Sequence, residues 1–300
     1  MSISVIHYLQ CPVCNSSQIG PALQCKDYTV SKENFEVWEC KNCMARFTQQ
    51  VPDAESIGPY YASENYISHS DTSKGLISKL YKTARKYTLA KKVKGVAAAS
   101  GLTNGNLLDV GCGTGAFLDA AKRAGWKVTG LEPDALARRN AQKLYGIEPL
   151  EASQLYQLPA ASFDVITLWH VLEHIHDLQG YFEQFNRLLK PGGTLIIAVP
   201  NYLSKDAANY GEYWAAYDVP RHLYHFTPKS IEIIAANNGL AVHEVQPMWL
   251  DAFYIALLSE QYQHGSQRLV PAFFSGLNSV WNAARHKGTC SSQVYVLRSK

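Results

Sequence analysis

The most constraining stretch of this 300-residue chain is Asn106-Leu107-Leu108-Asp109-Val110 running into Gly111-Cys112-Gly113-Thr114-Gly115. The apolar run reads as a short buried strand. The glycines that follow let the chain turn sharply and let a ligand approach the main chain. Ala116, Phe117, Leu118, Ala120 and Ala121 then carry helical spacing, so a helix begins where the loop ends and its first N–H groups are free to donate. Strand, glycine loop and helix open a nucleotide-binding βαβ unit. The next strand, Lys127–Leu131, ends in Glu132, 21 residues beyond Gly111, where a carboxylate can accept from ribose hydroxyls.

The spacing here is G-x-G-x-G, not the G-x-G-x-x-G of dinucleotide enzymes, and an acid, Asp109, stands just before the first glycine. Phe163–Trp169 reads as a fourth strand. Leu188-Leu189-Lys190-Pro191-Gly192-Gly193 followed by Thr194–Val199 reads as a helix end, a turn and a fifth strand. Val242–Val245 and Val294–Leu297 supply a late antiparallel pair. On these motifs residues 104–300 resemble the class I S-adenosylmethionine-dependent methyltransferases. The resemblance implies an α/β fold with a doubly wound, seven-stranded Rossmann-like sheet. It implies that Asp109, Gly111, Gly113 and Gly115 line the methionine part of the donor and that Glu132 holds the ribose. Trp169 and His170 would close the pocket, and Glu151-Ala152-Ser153 would lie near adenine. A Rossmann-type domain for another nucleotide is the alternative.

Ahead of this region the chain carries five of its seven cysteines within the first 43 residues. Four form two C-x-x-C pairs, Cys11 with Cys14 and Cys40 with Cys43, with 25 residues between the pairs. Each pair can offer two thiolates from one tight turn, and two pairs complete a tetrahedral site for Zn2+. Glu36–Glu39 reads as a strand entering the second pair. The spacing predicts a small structural zinc ribbon over 1–50, since such a module is too small to fold on its core alone. Reduced, unliganded thiols or a redox pair are the alternatives; a redox pair would need a βαβ context that this segment lacks. Four basic and four acidic side chains in residues 1–50 make the ribbon a poor electrostatic clamp for nucleic acid.

Residues 51–103 read as a connecting segment, packed by Tyr60, Tyr61 and Tyr66, and a helix over 74–98. Leu76, Leu80, Ala84, Tyr87, Ala90, Val93 and Ala97 give that helix one apolar stripe. Lys74, Lys79, Lys82, Arg85, Lys86, Lys91, Lys92 and Lys94 make its other face basic. The whole chain has a net charge of +3, too near neutral to argue for nucleic acid by itself. No apolar run reaches the ~18 residues of a membrane span. The first residues lack the basic and apolar blocks of an export signal, so the expected location is the cytoplasm.

Two insertions interrupt the expected domain, near 201–226 and 249–290. The first holds seven aromatic residues in 26, with Trp214, Tyr217, Arg221, His222 and His225 among its side chains. Loops at strand carboxyl ends line the ligand crevice of such sheets, so Trp214, Tyr217 and Arg221 are candidate substrate contacts and Arg221 a candidate anion holder. Packing of the tyrosines as a plain lid is the alternative. The second insertion reads equally as a lid or a dimer surface. After the fourth strand comes His170-Val171-Leu172-Glu173-His174, whose "LEH" triplet resembles that of small-molecule O-methyltransferases and sugar-modifying relatives. His170, His222 and His225 are therefore candidate proton acceptors near neutral pH, with His174 a weaker one. There is no Asn/Asp-Pro-Pro-aromatic motif for adenine N-methylation and no Pro-Cys for attack on cytosine.

Together these readings predict methyl transfer from S-adenosylmethionine to a small-molecule or glycan acceptor, at oxygen. The ribbon-plus-domain layout resembles sugar C-methyltransferases of secondary metabolism, whose chains are longer, and small methyltransferases of cell-surface glycan pathways. The alternatives are an RNA methyltransferase using ribbon and basic helix, and a non-catalytic donor-binding scaffold.

Overall fold

The structure, a computed structural model, describes residues 4–62 and 76–300. Tyr66 and Lys74 lie outside them, as do the side chains of Lys79, Lys82, Arg85 and Lys86.

The N-terminal segment forms short strands β1 (Val5–Ile6), β2 (Ile19–Lys26), β3 (Asn34–Cys40), β4 (Arg46–Thr48) and β5 (Val51–Pro52). β2, β3 and β4 pair antiparallel, and β3 ends at Cys40, which delivers the second cysteine pair. Helix α1 (Leu76–Ser100) follows, and then the main domain begins. Its elements are β6 (Gly105–Val110), α2 (Ala116–Arg123), β7 (Trp126–Leu131), α3 (Ala135–Tyr145), β8 (Phe163–Trp169), α4 (Leu178–Leu188) and β9 (Leu189–Pro200). They continue with α5 (Lys205–Tyr210), β10 (Tyr224–His225), α6 (Pro228–Asn237), β11 (Leu240–Pro247), α7 (Asp251–His264), α8 (Leu269–Arg285) and β12 (Ser292–Ser299).

Six strands form the central sheet in the order β11-β12-β9-β8-β6-β7. β7, β6, β8 and β9 run parallel, and β12 and β11 close the far edge antiparallel. The place of the expected seventh strand is taken by a single parallel bridge from Leu131 to Leu150. The Pro191-Gly192-Gly193 turn is drawn into β9 as an irregularity of its pairing with β8, with Gly192 at φ +78°.

Alternation along the strands sorts the core into two layers. Leu108, Val110, Ile166, Leu168, Leu195 and Ile197 face one way; Leu107, Val165, Ile196 and Ala198 face the other, toward α1 and α2. Phe182 and Phe185 of α4 are fully buried on the first side, each burial contributing about 2 kcal/mol. The ribbon packs into that same layer: Cys11, Val13, Cys40, Cys43, Phe47 and Val51 are continuous with the sheet's core. The insertion completes the join, because β10 adds to the ribbon sheet through Tyr224–Phe47 and His225–Arg46 pairing.

Most aromatic residues of the first insertion pack into the core. Tyr202, Tyr210, Trp214 and Tyr217 are buried with Cys25 and Val37 of the ribbon and with Ile255, Ala256 and Ala272 of the α7–α8 pair. The second insertion is that helical pair, and α8 leaves Leu269, Phe273, Leu277 and Trp281 exposed.

Candidate functional site

The carboxyl ends of β6, β7 and β8 converge on one place. The peptide after Val110 turns through Gly111, Gly113 and Gly115, all with positive φ, into α2. The three glycines serve different ends. A Cβ on Gly111 would stand 2.5 Å from a Val171 methyl, so this position is small for packing. A Cβ on Gly115 would press on Ala141 at 3.1 Å. A Cβ on Gly113 would meet nothing within 4 Å among the described residues, so that side of the backbone is open to a ligand. Among the described residues no side chain caps α2, which leaves its first N–H groups free beside the opening.

Two acids border that opening. Asp109, at the end of β6, is 2% exposed and accepts a hydrogen bond from Thr167 Oγ1 at 2.6 Å. Burial raises its carboxyl to about 7, against the pull of that hydrogen bond and of Lys92. Glu132, just past β7, accepts from Gly113 N–H at 2.8 Å and from Asp134 N–H at 2.9 Å. Burial raises it too. Asp134 caps α3 by accepting from Ala137 N–H, which sets the turn that aims Glu132. Beyond it Arg138 links the Glu132 carbonyl to the Glu151 carboxylate, at 2.7 and 2.8 Å. Trp169 at the end of β8 packs edge-on to Phe117.

Lys92 belongs to this site, contrary to its expected place on a solvated helix face. Its ammonium sits 4.4 Å from the centre of the Trp169 ring. Burial lowers its pKa, while Asp109 and Asp251 work the other way. The helical period cannot reveal this, because α1 is crossed by the sheet at an angle that only packing decides.

The candidate proton acceptors separate. His170 does not sit on a helix with His174: it has φ +58°, and only Leu172–His174 forms a short 3-10 turn. His170 Nε2 is 3.0 Å from Asp251 Oδ2 and Nδ1 is 3.5 Å from Glu173 Oε1. Burial opposes its charge, but the two carboxylates prevail and hold the imidazole at about 9. Raised that far, it is a poor proton acceptor at neutral pH, against its expected role. His174 is driven down to about 4 by burial and by neighbouring His222. Its Nδ1 meets the Arg221 carbonyl at 2.9 Å and the Tyr61 hydroxyl at 3.1 Å. His222 joins it, the two rings 4.6 Å apart, with its Nδ1 2.8 Å from the Ala216 carbonyl.

His225 is buried against Thr48 and Tyr217, and burial pushes it well down; no face is left for a substrate. Arg221 is likewise spent: it is 1% exposed and donates to Asp27, Asp218 and the Tyr60 carbonyl. Tyr217 receives a hydrogen bond from Arg46, and Trp214 donates to Asp206. These three are corrected from substrate contacts to braces between ribbon and insertion. Lys92 and Asp251 were not among the expected site residues, and they reach the site only through tertiary contacts.

At the other end of the ribbon, Cys11, Cys14, Cys40 and Cys43 bring their four sulfurs within 4.8 Å of one another. Cys11 Sγ is 3.5 Å from Cys43 Sγ and Cys14 Sγ is 3.6 Å from Cys40 Sγ, and all four thiols are free.

A family profile described as "Methyltransferase domain" matches residues 81–245, more than half of the chain, and takes in every strand of the central sheet except β12 and the last two residues of β11. The chain belongs to this methyltransferase family. A ubiquinone biosynthesis O-methyltransferase of Rhodopseudomonas palustris (strain BisB18) is 27% identical over 165 residues, covering 51% of this chain and 64% of the relative. One of Cronobacter sakazakii is 36% identical over 115 residues, covering 36% and 47%. The mitochondrial human protein of that name is 28% identical over 164 residues, covering 49% and 44%. The chain thus spans about half the length of the curated relatives it matches. A crystal structure described as a sarcosine dimethylglycine methyltransferase from Galdieria sulphuraria superposes with a TM-score of 0.51 at 15% identity, covering 71% of this chain and 85% of that one. That likeness places the methyltransferase chain in the Rossmann-like fold. Among the described residues no helix is long and apolar enough to cross a membrane.

Proposed function

We propose that this methyltransferase-family protein transfers a methyl group from S-adenosylmethionine to an oxygen of a small-molecule or glycan acceptor. The observation that carries the reading is the open backbone above Gly113, bordered by Asp109 and Glu132. S-adenosylmethionine, when bound, supplies a methyl group on a positively charged sulfur together with an ammonium and a ribose. Asp109, beside the glycine turn, would face the cationic amino-acid part, and Glu132 would exchange its bond from Gly113 for the ribose hydroxyls. Trp169 and Phe117 would exclude water from the methyl. Alignment of acceptor and methyl supplies much of the rate in such a reaction. The acceptor hydroxyl must also lose its proton. The groups at this end of the sheet fit to promote that loss are Glu173, His174 and His222, with His170 held as a cation beside them.

We also read the four-cysteine cluster as a structural zinc site. Its four sulfurs fit a closed tetrahedral set, and so small a module gains stability from it.

Incubation with methyl-labelled S-adenosylmethionine and fractionated cell extract tests the main reading. Label is expected in the small-molecule or glycan fraction, as a methyl ether stable to mild base. Donor binding without label in either fraction would overturn it, and label in RNA would reassign the acceptor.

A further inference from the structure

We propose that this protein pairs with a second copy of itself through helix α8, the outer helix of the α7–α8 hairpin, across a two-fold axis. The hairpin lies beyond the matched residues 81–245, so the family profile carries no such contact.

At about 100° of turn per residue, α8 carries three stripes. Ala272, Gly276, Ser279 and Ala283 are its buried stripe. All four are small, so α8 lies close on α7: a Cβ on Gly276 would stand 3.0 Å from the Phe253 Cα. Ser275, Asn278 and Asn282 form a polar stripe beside it. The third stripe spans about 140° and has no polar member; it holds Leu269, Val270, Phe273, Phe274, Leu277 and Trp281. These six residues are 45% to 69% exposed. The helix turns its small residues inward and its large apolar ones to solvent, the reverse of an ordinary surface helix. At those exposures the six side chains present roughly 600 Å² of apolar surface, the upper end of what a monomer leaves uncovered. Two copies meeting on this face bury about 1,200 Å² between them, which reaches the size of a specific interface.

The spacing on this face suits another helix. Val270, Phe274, Leu277, Trp281 and Ala284 recur at steps of four, three, four and three. That is the 3.5-residue period of helices packed lengthwise. The seam is also self-complementary, as a two-fold contact requires. An antiparallel crossing centred on Leu277 sets Val270 against Ala284 of the second copy, large beside small, and Phe274 against Trp281, aromatic beside aromatic. A lipid surface fits the same face less well. Helices that lie in a membrane interface carry Lys and Arg on their polar side, and here that side is Ser, Asn and Asn. The arginines at the two ends are engaged: Arg268 pairs with Glu260 at 3.5 Å, and Arg285 lies 3.3 Å from the centre of the Trp281 ring.

Sedimentation of the full chain at micromolar concentration tests the contact. It needs no donor or acceptor, so its failure leaves the methyl-transfer reading standing. We expect a particle of twice the 33.4 kDa chain mass. Leu277→Glu sets two carboxylates together on the axis and should weaken pairing about 100-fold or more, while far-UV circular dichroism stays native. Asn278→Glu, on the polar stripe, should remain dimeric. Leu277→Cys should give a disulfide-linked dimer on mild oxidation where wild-type protein gives none. A wild-type monomer would overturn the proposal, and so would a dimer that survives Leu277→Glu or a Leu277→Cys dimer that does not cross-link. A monomer that sediments with phosphatidylglycerol vesicles through this face would assign it to lipid instead.

Discussion

Arg221 of the insertion reaches Asp27 of the ribbon, Nη2 to Oδ1 at 3.0 Å, with the two side chains 1% and 0% exposed. Asp218 accepts from the same Nη2 at 2.7 Å and from Nε at 3.0 Å. Removing Arg221 would leave the buried Asp27 and the largely buried Asp218 without their shared cation. Arg221→Ala should therefore lower unfolding free energy by about 3–5 kcal/mol, read by urea denaturation. Burial raises the Asp27 carboxyl, but the hydrogen bond from Arg221 overrides it and holds the group well below the usual range. The stability it adds is present above the ordinary carboxylate pKa and is lost as pH falls through the depressed value. If Arg221→Ala kept wild-type stability and instead weakened acceptor binding, the bracing role would be wrong.

Gly111 and Gly113 should respond differently to an added side chain. Gly111→Ala places a methyl 2.5 Å from Val171 and should destabilise the fold. Gly113→Arg pushes a long side chain into open space, with a cost for positive φ of about 1–2 kcal/mol, and should abolish measurable donor binding while the protein remains folded. Isothermal titration with S-adenosylmethionine, paired with thermal melts, separates the two. Unchanged donor affinity in Gly113→Arg would remove this loop from the site.

Donor affinity should rise with pH near neutrality. The Asp109 carboxyl sits at about 7 because it is buried, so it is half protonated there in the free protein. A cationic ligand prefers the ionised form, and binding must release that proton. Affinity at pH 8 should exceed that at pH 6, by up to about tenfold per pKa unit crossed, and Asp109→Asn should flatten the profile. The fold responds with the reverse sign. Between the ordinary carboxylate pKa and about 7 the folded protein holds the extra proton, so this group's contribution to stability falls as pH rises through that window.

His170 should titrate at about 9 in the folded protein, because Asp251 and Glu173 outweigh its burial. Its contribution to stability is fully present below the ordinary histidine pKa and is lost as pH climbs through about 9. Imidazole NMR titration reads this directly, and Asp251→Asn should move the midpoint toward neutrality. A wild-type midpoint near the ordinary value would restore His170 as a candidate base.

Chelation should loosen the ribbon. Metal-free protein, or Cys40→Ser, should expose the β2–β4 sheet to hydrogen exchange before the central sheet opens, since Cys40 and Cys43 are part of the shared core. Equal protection with and without metal would argue that the cysteines are simply buried thiols.

Much of this protein is legible in its residue order, because the deciding forces are local or periodic. Asp109–Gly115 announces a strand, a glycine turn and a helix, since only that backbone needs glycine at those steps. Two C-x-x-C pairs announce a cluster, since a two-residue gap brings two sulfurs to one point. Short apolar runs announce the parallel strands. What the order of residues does not contain is the environment of each polar side chain. Arg221, Tyr217, Trp214 and His225 read as a substrate wall and are buried braces, because only packing of insertion on ribbon removes their water. His170 reads as a neutral base, but Asp251, 81 residues away, folds back against it and raises its pKa. Lys92 reads as a surface charge and lies over Trp169. Charge state and reach depend on burial and on distant partners, and those quantities exist only once the chain has folded.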